Sequence, residues 1–253
     1  MNINNGFILT RHARDKNGQT QMDFWLSTPD GPINIVIPNE RPVFFVIQSD
    51  EAKVSALANE HGVVIEIKPL ELVTFSDKLV SACYFSSIAS VNQFKQLLET
   101  HQIDTFESDI RLVDRYLMER FIQGSVEFFG QNLNRKGYQL VTQAKCRKGN
   151  YHPTLSYVSL DLECSEKGIL YSIGLASSLD SRVIMIGEEE AAETPIQWVK
   201  DEKALLLAMV DWFNRYDPDL IVGWNVIDFD FRLLVKRAEW HGIKLTMGRG
   251  RQN

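Results

Sequence analysis

The chain has 253 residues, of which 44% are hydrophobic and 24% charged; this supports packed cores and excludes global disorder. A formal net charge of −6 excludes a basic coat that grips duplex nucleic acid by phosphate neutralisation alone, although bound metal ions could supply positive charge locally. The longest apolar run, 204–210, is too short to span a bilayer, residues 1–6 lack a signal-peptide pattern, and Cys83, Cys146 and Cys164 are widely spaced without a CxxC, which points to reduced thiols in the cytoplasm and no zinc site.

In chain order, residues 6–12 and 22–27 read as strands around the turn Lys16-Asn17-Gly18. Pro29-Asp30-Gly31-Pro32 then leads into a third strand, 33–37, completing a β-meander. The rhythm changes at 43–47, a strand, followed by a helix over 51–61 with Val54, Leu57 and Ala58 on one face. Strands at 63–67 and 79–85 follow, then a helix over 88–100 with Ile88, Val91, Phe94 and Leu98 at helical spacing; residues 105–107 close the unit. This βαββαβ order is the ferredoxin-like arrangement, so the N-terminal region is read as α+β. Phe44, Phe45, Tyr84 and Phe85 fall on its first and third strands, as aromatics do in RNA-recognition modules. The glycine–aromatic signature of those modules is missing, and core packing accounts for these side chains. A non-catalytic single-stranded nucleic-acid-binding module built on this unit is the alternative reading.

Residues 111–123 are expected to form a helix with Val113, Leu117 and Phe121 inward, followed by strands at 126–129 and 138–144. Residues 145–153 are polar, basic and broken by Gly149 and Pro153, which sets a boundary between domains 1–148 and 149–253. Two basic clusters, Arg135, Lys136, Lys145, Arg147 and Lys148, then Arg232, Lys236 and Arg237, read as solvated surface, and Glu188 to Glu190 as an exposed acidic loop. The second domain reads as strands at 157–163, 169–176 and 182–187, a helix over 201–215, a strand at 219–224 and a helix over 229–241. That order opens a partial α/β RNase H-like fold. Asp217-Pro218-Asp219 ends the helix and starts the strand, so both aspartates read as boundary residues.

Two short acidic motifs carry chemistry. Alternate residues of a strand share a face, so Asp161 and Glu163 project together while Leu160 and Leu162 enter the opposite layer. Adjacent carboxylates repel unless a cation or proton lies between them, and hard oxygen ligands suit Mg²⁺ or Mn²⁺. The second motif is Asn225-x-x-x-Phe229-Asp230, after the apolar strand that Asn225 ends. Asn225 and Asp228 also suit helix capping, and Phe229 suits either a core anchor or a stacking surface for a base.

Asp161-x-Glu163 and Asn225-x-x-x-Phe229-Asp230 resemble the first two exonuclease motifs of the family B DNA polymerases. The segments 6–12, 114–122 and 216–225 also resemble the bacterial members, so the likeness spans nearly the whole chain. The resemblance implies a DNA-directed DNA polymerase whose N-terminal domain, 1–148, precedes a 3′→5′ proofreading exonuclease domain, 149–253, serving replication and repair. It implies that Asp161, Glu163 and Asp230 are catalytic and hold two Mg²⁺ or Mn²⁺ ions, with Glu163 also orienting the attacking water. Asn225 and Phe229 would hold the DNA 3′ end. The implied partners are DNA, as primer 3′ end and template strand, the remainder of the polymerase chain, and a sliding clamp bound outside this chain; the implied setting is the bacterial cytoplasm at the nucleoid. Two departures stand out. Cys164 occupies a place where the family usually has threonine, and no third motif, Y-x-x-x-D, follows Asp230 in this sequence. The expectation is a partial exonuclease domain truncated before that motif, with no polymerase activity and weak or no nuclease activity of its own.

Overall fold

The computed structural model describes residues 3–135, 137–191, 193 and 195–248; Lys136 of the first basic cluster therefore lies outside the described residues. The chain divides into two compact units, Met1–Pro153 and Thr154–Asn253. No helix among the described residues is long and apolar enough to cross a membrane.

In the first unit, β1 (Asn4–Lys16), β2 (Gln19–Thr28) and β3 (Gly31–Pro38) pair antiparallel in sequence. Asn17 and Gly18 both have positive φ, 52° and 75°, as the tight two-residue hairpin between Lys16 and Gln19 requires. The strand β4 (Val43–Ile47), helix α1 (Glu51–Glu60), strands β5 (Ile65–Val73) and β6 (Leu79–Phe85), and helix α2 (Ile88–Thr100) come next. Their sheet has the order β4-β6-β5, and a bridge between Phe45 and Phe106 adds the segment after α2 beside β4. Val54, Ala58, Val91, Phe94 and Leu98 of the two helices pack on Phe44, Val46, Cys83 and Phe85. The Asp15 carboxylate at the end of β1 accepts from the first amides of α2, Ile88 N at 2.8 Å and Ala89 N at 2.9 Å. It thereby satisfies helix-end donors that have no partner within the helix.

The helix α3 (Leu112–Glu119) and the strands β7 (Ser125–Arg135) and β8 (Tyr138–Lys148) complete the unit. The N-terminal meander pairs as the sequence suggested, and two later strands extend it. It closes with β7 and β8 into a barrel of order β1-β2-β3-β8-β7, in which β3 and β8 run parallel. Met22, Phe24, Ile35, Val126 and Phe128 fill the interior under Val113 and Tyr116 of α3. Each such side chain contributes about 1.5–3 kcal/mol on burial. One correction concerns Phe121, expected inward but 77% exposed. The helix ends at Glu119, and Phe121 takes a left-handed conformation, φ 54°, that turns its ring outward while Ile122 enters the core. Gly149 N donates to Ser125 O at 3.1 Å and Ser125 Oγ donates to Tyr151 O at 2.5 Å, so the polar segment after β8 is tied to β7.

In the second unit, β9 (Tyr157–Cys164), β10 (Leu170–Ser177) and β11 (Arg182–Ile186) form an antiparallel meander, and the short β12 (Ile196–Val199) adds parallel to β11. The helix α4 (Glu202–Tyr216) leads to β13 (Leu220–Val222), parallel to β9, for a sheet order of β12-β11-β10-β9-β13. Asp201 caps α4 by accepting from Ala204 N at 2.8 Å, and Asp217 closes it in the left-handed region just before Pro218. Leu205, Leu206, Met209 and Phe213 of α4 cover one sheet face made of Val158, Leu160, Leu162, Ile173, Leu175 and Ile184. The expected last helix starts differently from its sequence reading. A π-helical turn, Val226–Phe231, precedes α5 (Arg232–His241).

Candidate active site

The strand β9 alternates strictly. Val158, Leu160 and Leu162 are buried, whereas Tyr157, Ser159, Asp161 and Glu163 are exposed on the other face. Across the sheet, Gly174 of β10 pairs with Asp161 and Ser172 with Glu163. A glycine opposite Asp161 leaves the flank of that carboxylate open, since even an added Cβ would only just reach the Asp161 Cβ, at 3.9 Å. Cys164, at the end of the strand, is partly buried and packs against the core cluster.

Asp230 comes from the far side of the β13 turn. The parallel pairing runs to Val222 opposite Ser159, so the chain leaves the sheet three residues before Asn225, not at Asn225 as the sequence suggested. Gly223 then passes directly over β9, where a Cβ would lie 2.6 Å from the Leu160 carbonyl oxygen. Only glycine allows that approach. Asn225 follows in the left-handed region (φ 55°, ψ 29°), and its carbonyl accepts from Phe229 N at 3.0 Å. Asn225 occupies the N-cap position, yet its side chain makes no capping hydrogen bond, and Asp228 sits exposed inside the turn. π-Turns insert an extra residue into a helical turn and recur at functional sites. Here the turn leaves Phe229 48% exposed and buries Asp230 to 3% exposure.

Burial lifts the Asp230 carboxyl above the usual range, and the negative charge of Asp161 lifts it further. The two acids therefore lie within electrostatic reach of each other. Among the described residues no lysine, arginine or histidine forms an ion pair with Asp161, Glu163 or Asp230. Also among the described residues, no group of three or more His, Cys, Asp or Glu side chains converges into a ready ion site. The structure thus associates Asp161 with Asp230 and places Glu163 beside Asp161 on one face, without drawing all three onto a single point. Their chemistry fits a hard divalent cation: they are oxygen donors, one is desolvated, and none has a cationic partner.

The same unit also contains a carboxylate that the sequence reading missed. Glu202, at the start of α4, is only 7% exposed. It accepts from Leu170 N at 2.9 Å and from Arg237 Nε at 2.7 Å, bonds Arg237 a second time through its other oxygen, and lies 2.8 Å from His241 Nε2. Burial would raise its pKa, but Arg237, His241 and the Leu170 amide outweigh burial and hold it at about 2. This pins α5, and with it the π-turn carrying Asp230, to α4 and β10. Glu202 sits one residue after the capping Asp201, in the first turn of α4, where an acid is commonplace in sequence. Gly223 was also missed as a positioning residue; its signal was a lone glycine at the end of an apolar strand. Asp219 is structural: its Oδ2 accepts from Ser156 N at 2.8 Å and Ser156 Oγ at 2.9 Å, joining the starts of β13 and β9.

The aromatics of the first unit divide. Phe44 and Phe85 are buried core residues, at 0% and 1% exposure. Phe45 lies under the Arg115 guanidinium at 5.2 Å, and Tyr84 has Arg41 at 4.9 Å and Lys68 at 5.5 Å from its ring centre.

Comparison with known proteins places these features. Residues 103–253 match the family described as DNA polymerase family B, exonuclease domain, and residues 6–41 match DNA polymerase II, N-terminal. The chain is 34% identical over 250 residues to DNA polymerase II of Escherichia coli (strain K12), covering 96% of this chain and 31% of that protein. It is 25% identical over 255 residues to a DNA polymerase of Archaeoglobus fulgidus, covering 98% of this chain and 32% of that one. Its fold is similar to that of the family B DNA polymerase from the hyperthermophilic archaeon Pyrobaculum calidifontis, with a TM-score of 0.67 at 17% identity over 98% of this chain and 34% of that chain. The chain spans about a third of the length of these relatives. With an exonuclease-domain match over more than half its length, the chain belongs to the family B DNA polymerases.

Proposed function

We propose that the second unit is the RNase H-like 3′→5′ proofreading exonuclease of a DNA polymerase of the polymerase II type, and that the first unit is the N-terminal domain of that polymerase with a ferredoxin-like part. The observation that carries this reading is the open carboxylate pair on β9 beside a desolvated Asp230, with no cationic side chain among the described residues paired to them. Asp161 and Glu163 would hold one Mg²⁺ or Mn²⁺ ion and Asp230 would help hold a second. Such ions, when bound, activate a water and stabilise the leaving oxygen of a phosphodiester. Glu163 orients that water, and Asn225 and Phe229 hold the 3′ end of the strand to be trimmed. A mismatched end unpairs more easily than a matched one, which gives selectivity without reading sequence. In the parent enzyme the partners are the primer 3′ end, the template strand, the rest of the polymerase chain and a sliding clamp, in the bacterial cytoplasm at the nucleoid.

The three carboxylates do not converge as a preformed cluster, so this chain alone is expected to hold metal weakly, to trim slowly or not at all, and to lack polymerase activity. A 5′-labelled primer with a mismatched end, incubated with Mn²⁺ and the chain in excess, tests both halves of the reading. Slow trimming that disappears in Asp161→Ala supports the site; trimming that persists in Asp161→Ala and Asp230→Ala refutes it. Fast multiple-turnover trimming that Asp161→Ala abolishes would instead overturn the claim of weak activity.

A further inference from the structure

The turn that delivers Asp230 also displays an unusual set of apolar side chains. Trp224 is 95% exposed and Ile227 74%, next to the half-exposed Phe229. Trp224 comes two residues after Val222, the last residue of β13, which pairs with Ser159, two residues before Asp161 on β9. Its backbone is fixed rather than loose: Gly223 on one side lies against the Leu160 carbonyl, and Asn225 on the other opens the π-turn. Three other tryptophans of the chain have partners. Trp212 is buried and donates to Asp180, Trp25 packs on Tyr138, and the exposed Trp240 lies 5.9 Å from the Arg237 guanidinium. Among the described residues Trp224 has no ring or cation contact.

A strand end entering this site meets three carboxylates in a chain of net charge −6, so its phosphates find little attraction in the protein itself. The bases can be gripped without charge, because every base has a π-face and stacking on an aromatic ring tolerates any sequence. We propose that Trp224, flanked by Ile227, is the stacking platform for the terminal base of the single strand that enters the site. This deepens the exonuclease reading and rests on it. It adds a grip on the base to the contacts assigned to Asn225 and Phe229, and it makes binding depend on the 3′ end rather than on the length of the strand.

The test uses the 253-residue chain and a short oligodeoxythymidylate carrying fluorescent 2-aminopurine at either its 3′ or its 5′ terminus, with Ca²⁺ replacing Mg²⁺. Stacking on Trp224 is expected to quench the 3′ probe and leave the 5′ probe unchanged. Trp224→Ala should abolish that quenching and weaken binding about tenfold or more. Trp224→Phe should restore most of both, and Trp240→Ala should change neither. Thermal melts of each variant check folding, which a 95% exposed side chain has little part in. The proposal is overturned if the parent leaves the 3′ probe unquenched, if Trp224→Ala binds and quenches like the parent, or if Trp224→Ala instead dissolves a dimer seen by sedimentation while oligonucleotide binding is unchanged. Each of those results can occur while Asp161→Ala still abolishes Mn²⁺-dependent trimming, so a failure here is separable from a failure of the metal site. Conversely, Trp224-dependent quenching of the 3′ probe with trimming unaffected by Asp161→Ala would leave the stacking platform standing and remove the proposed nuclease.

Discussion

The second unit buries two carboxylates and treats them in opposite ways. At the junction of α4 and α5, Glu202 has a bidentate arginine, a histidine and a backbone amide, and its pKa falls to about 2. Beside β9, Asp230 is as deeply buried, has no cationic partner among the described residues, and its pKa rises. Both cost desolvation energy, but only Glu202 recovers it within the chain. The difference separates a carboxylate that builds the fold from one that lowers stability until something outside the chain neutralises it.

The largest expected effect falls on Glu202. Glu202→Ala leaves Arg237 without its counter-charge and frees α5, and should cost about 3–5 kcal/mol, read as a fall in Tm. The pH dependence gives the sign independently. A carboxylate whose folded pKa lies below its ordinary value of 4.5 contributes fully above that value and loses its contribution as pH falls toward about 2. Urea unfolding at pH 6 and at pH 3 should therefore show wild type losing more stability than Glu202→Gln, by about 2 kcal/mol. Equal losses in the two proteins would erase the contrast drawn between the two acids.

For Asp230 the sign reverses. A carboxylate with a raised folded pKa subtracts stability once it ionises, and that deficit vanishes as pH falls. Asp230→Asn should raise the Tm of the metal-free protein near neutral pH, the opposite of the Glu202 variants. Mn²⁺ at about a hundredfold over its dissociation constant should stabilise wild type by about 2.7 kcal/mol or more, and Asp230→Asn by less, since that variant keeps only the ion held by Asp161 and Glu163. A Mn²⁺ response undiminished in Asp230→Asn would mean that Asp230 holds no ion.

How much of this was readable beforehand follows from range along the chain. The Asn17-Gly18 hairpin was legible because the signal and the structure it makes are the same few residues. The paired faces of Asp161 and Glu163 were legible because alternation is a property of one strand. Closure of the barrel was not: it depends on pairing Ile33 with Gln139, and nothing local to either residue announces the other. Glu202 was hidden for the same reason, since its partners come from β10 and α5. The π-turn was hidden differently. Its apolar spacing imitates the start of an ordinary helix, and what distinguishes it is the passage of Gly223 over the Leu160 carbonyl, a contact between two strands.

The smallest expected effects compare two left-handed residues, one in each unit. Phe121 and Asn225 have nearly the same φ, 54° and 55°. A bulky side chain there is strained by about 1–2 kcal/mol, whereas asparagine tolerates the region. Phe121 is 77% exposed and loses little packing on replacement, so Phe121→Gly should stabilise the first unit by about 0.5–1 kcal/mol, after the added freedom of the unfolded glycine is subtracted. Asn225 makes no capping bond and is exposed, so Asn225→Gly should change stability by less than about 0.5 kcal/mol. Binding of a single-stranded 3′ end should nevertheless weaken in Asn225→Gly and stay unchanged in Phe121→Gly. Parallel melts and titrations of the two variants separate the roles: a large stability loss in Asn225→Gly would make that residue a structural cap after all, and the functional assignment would pass from it to its neighbours on the turn.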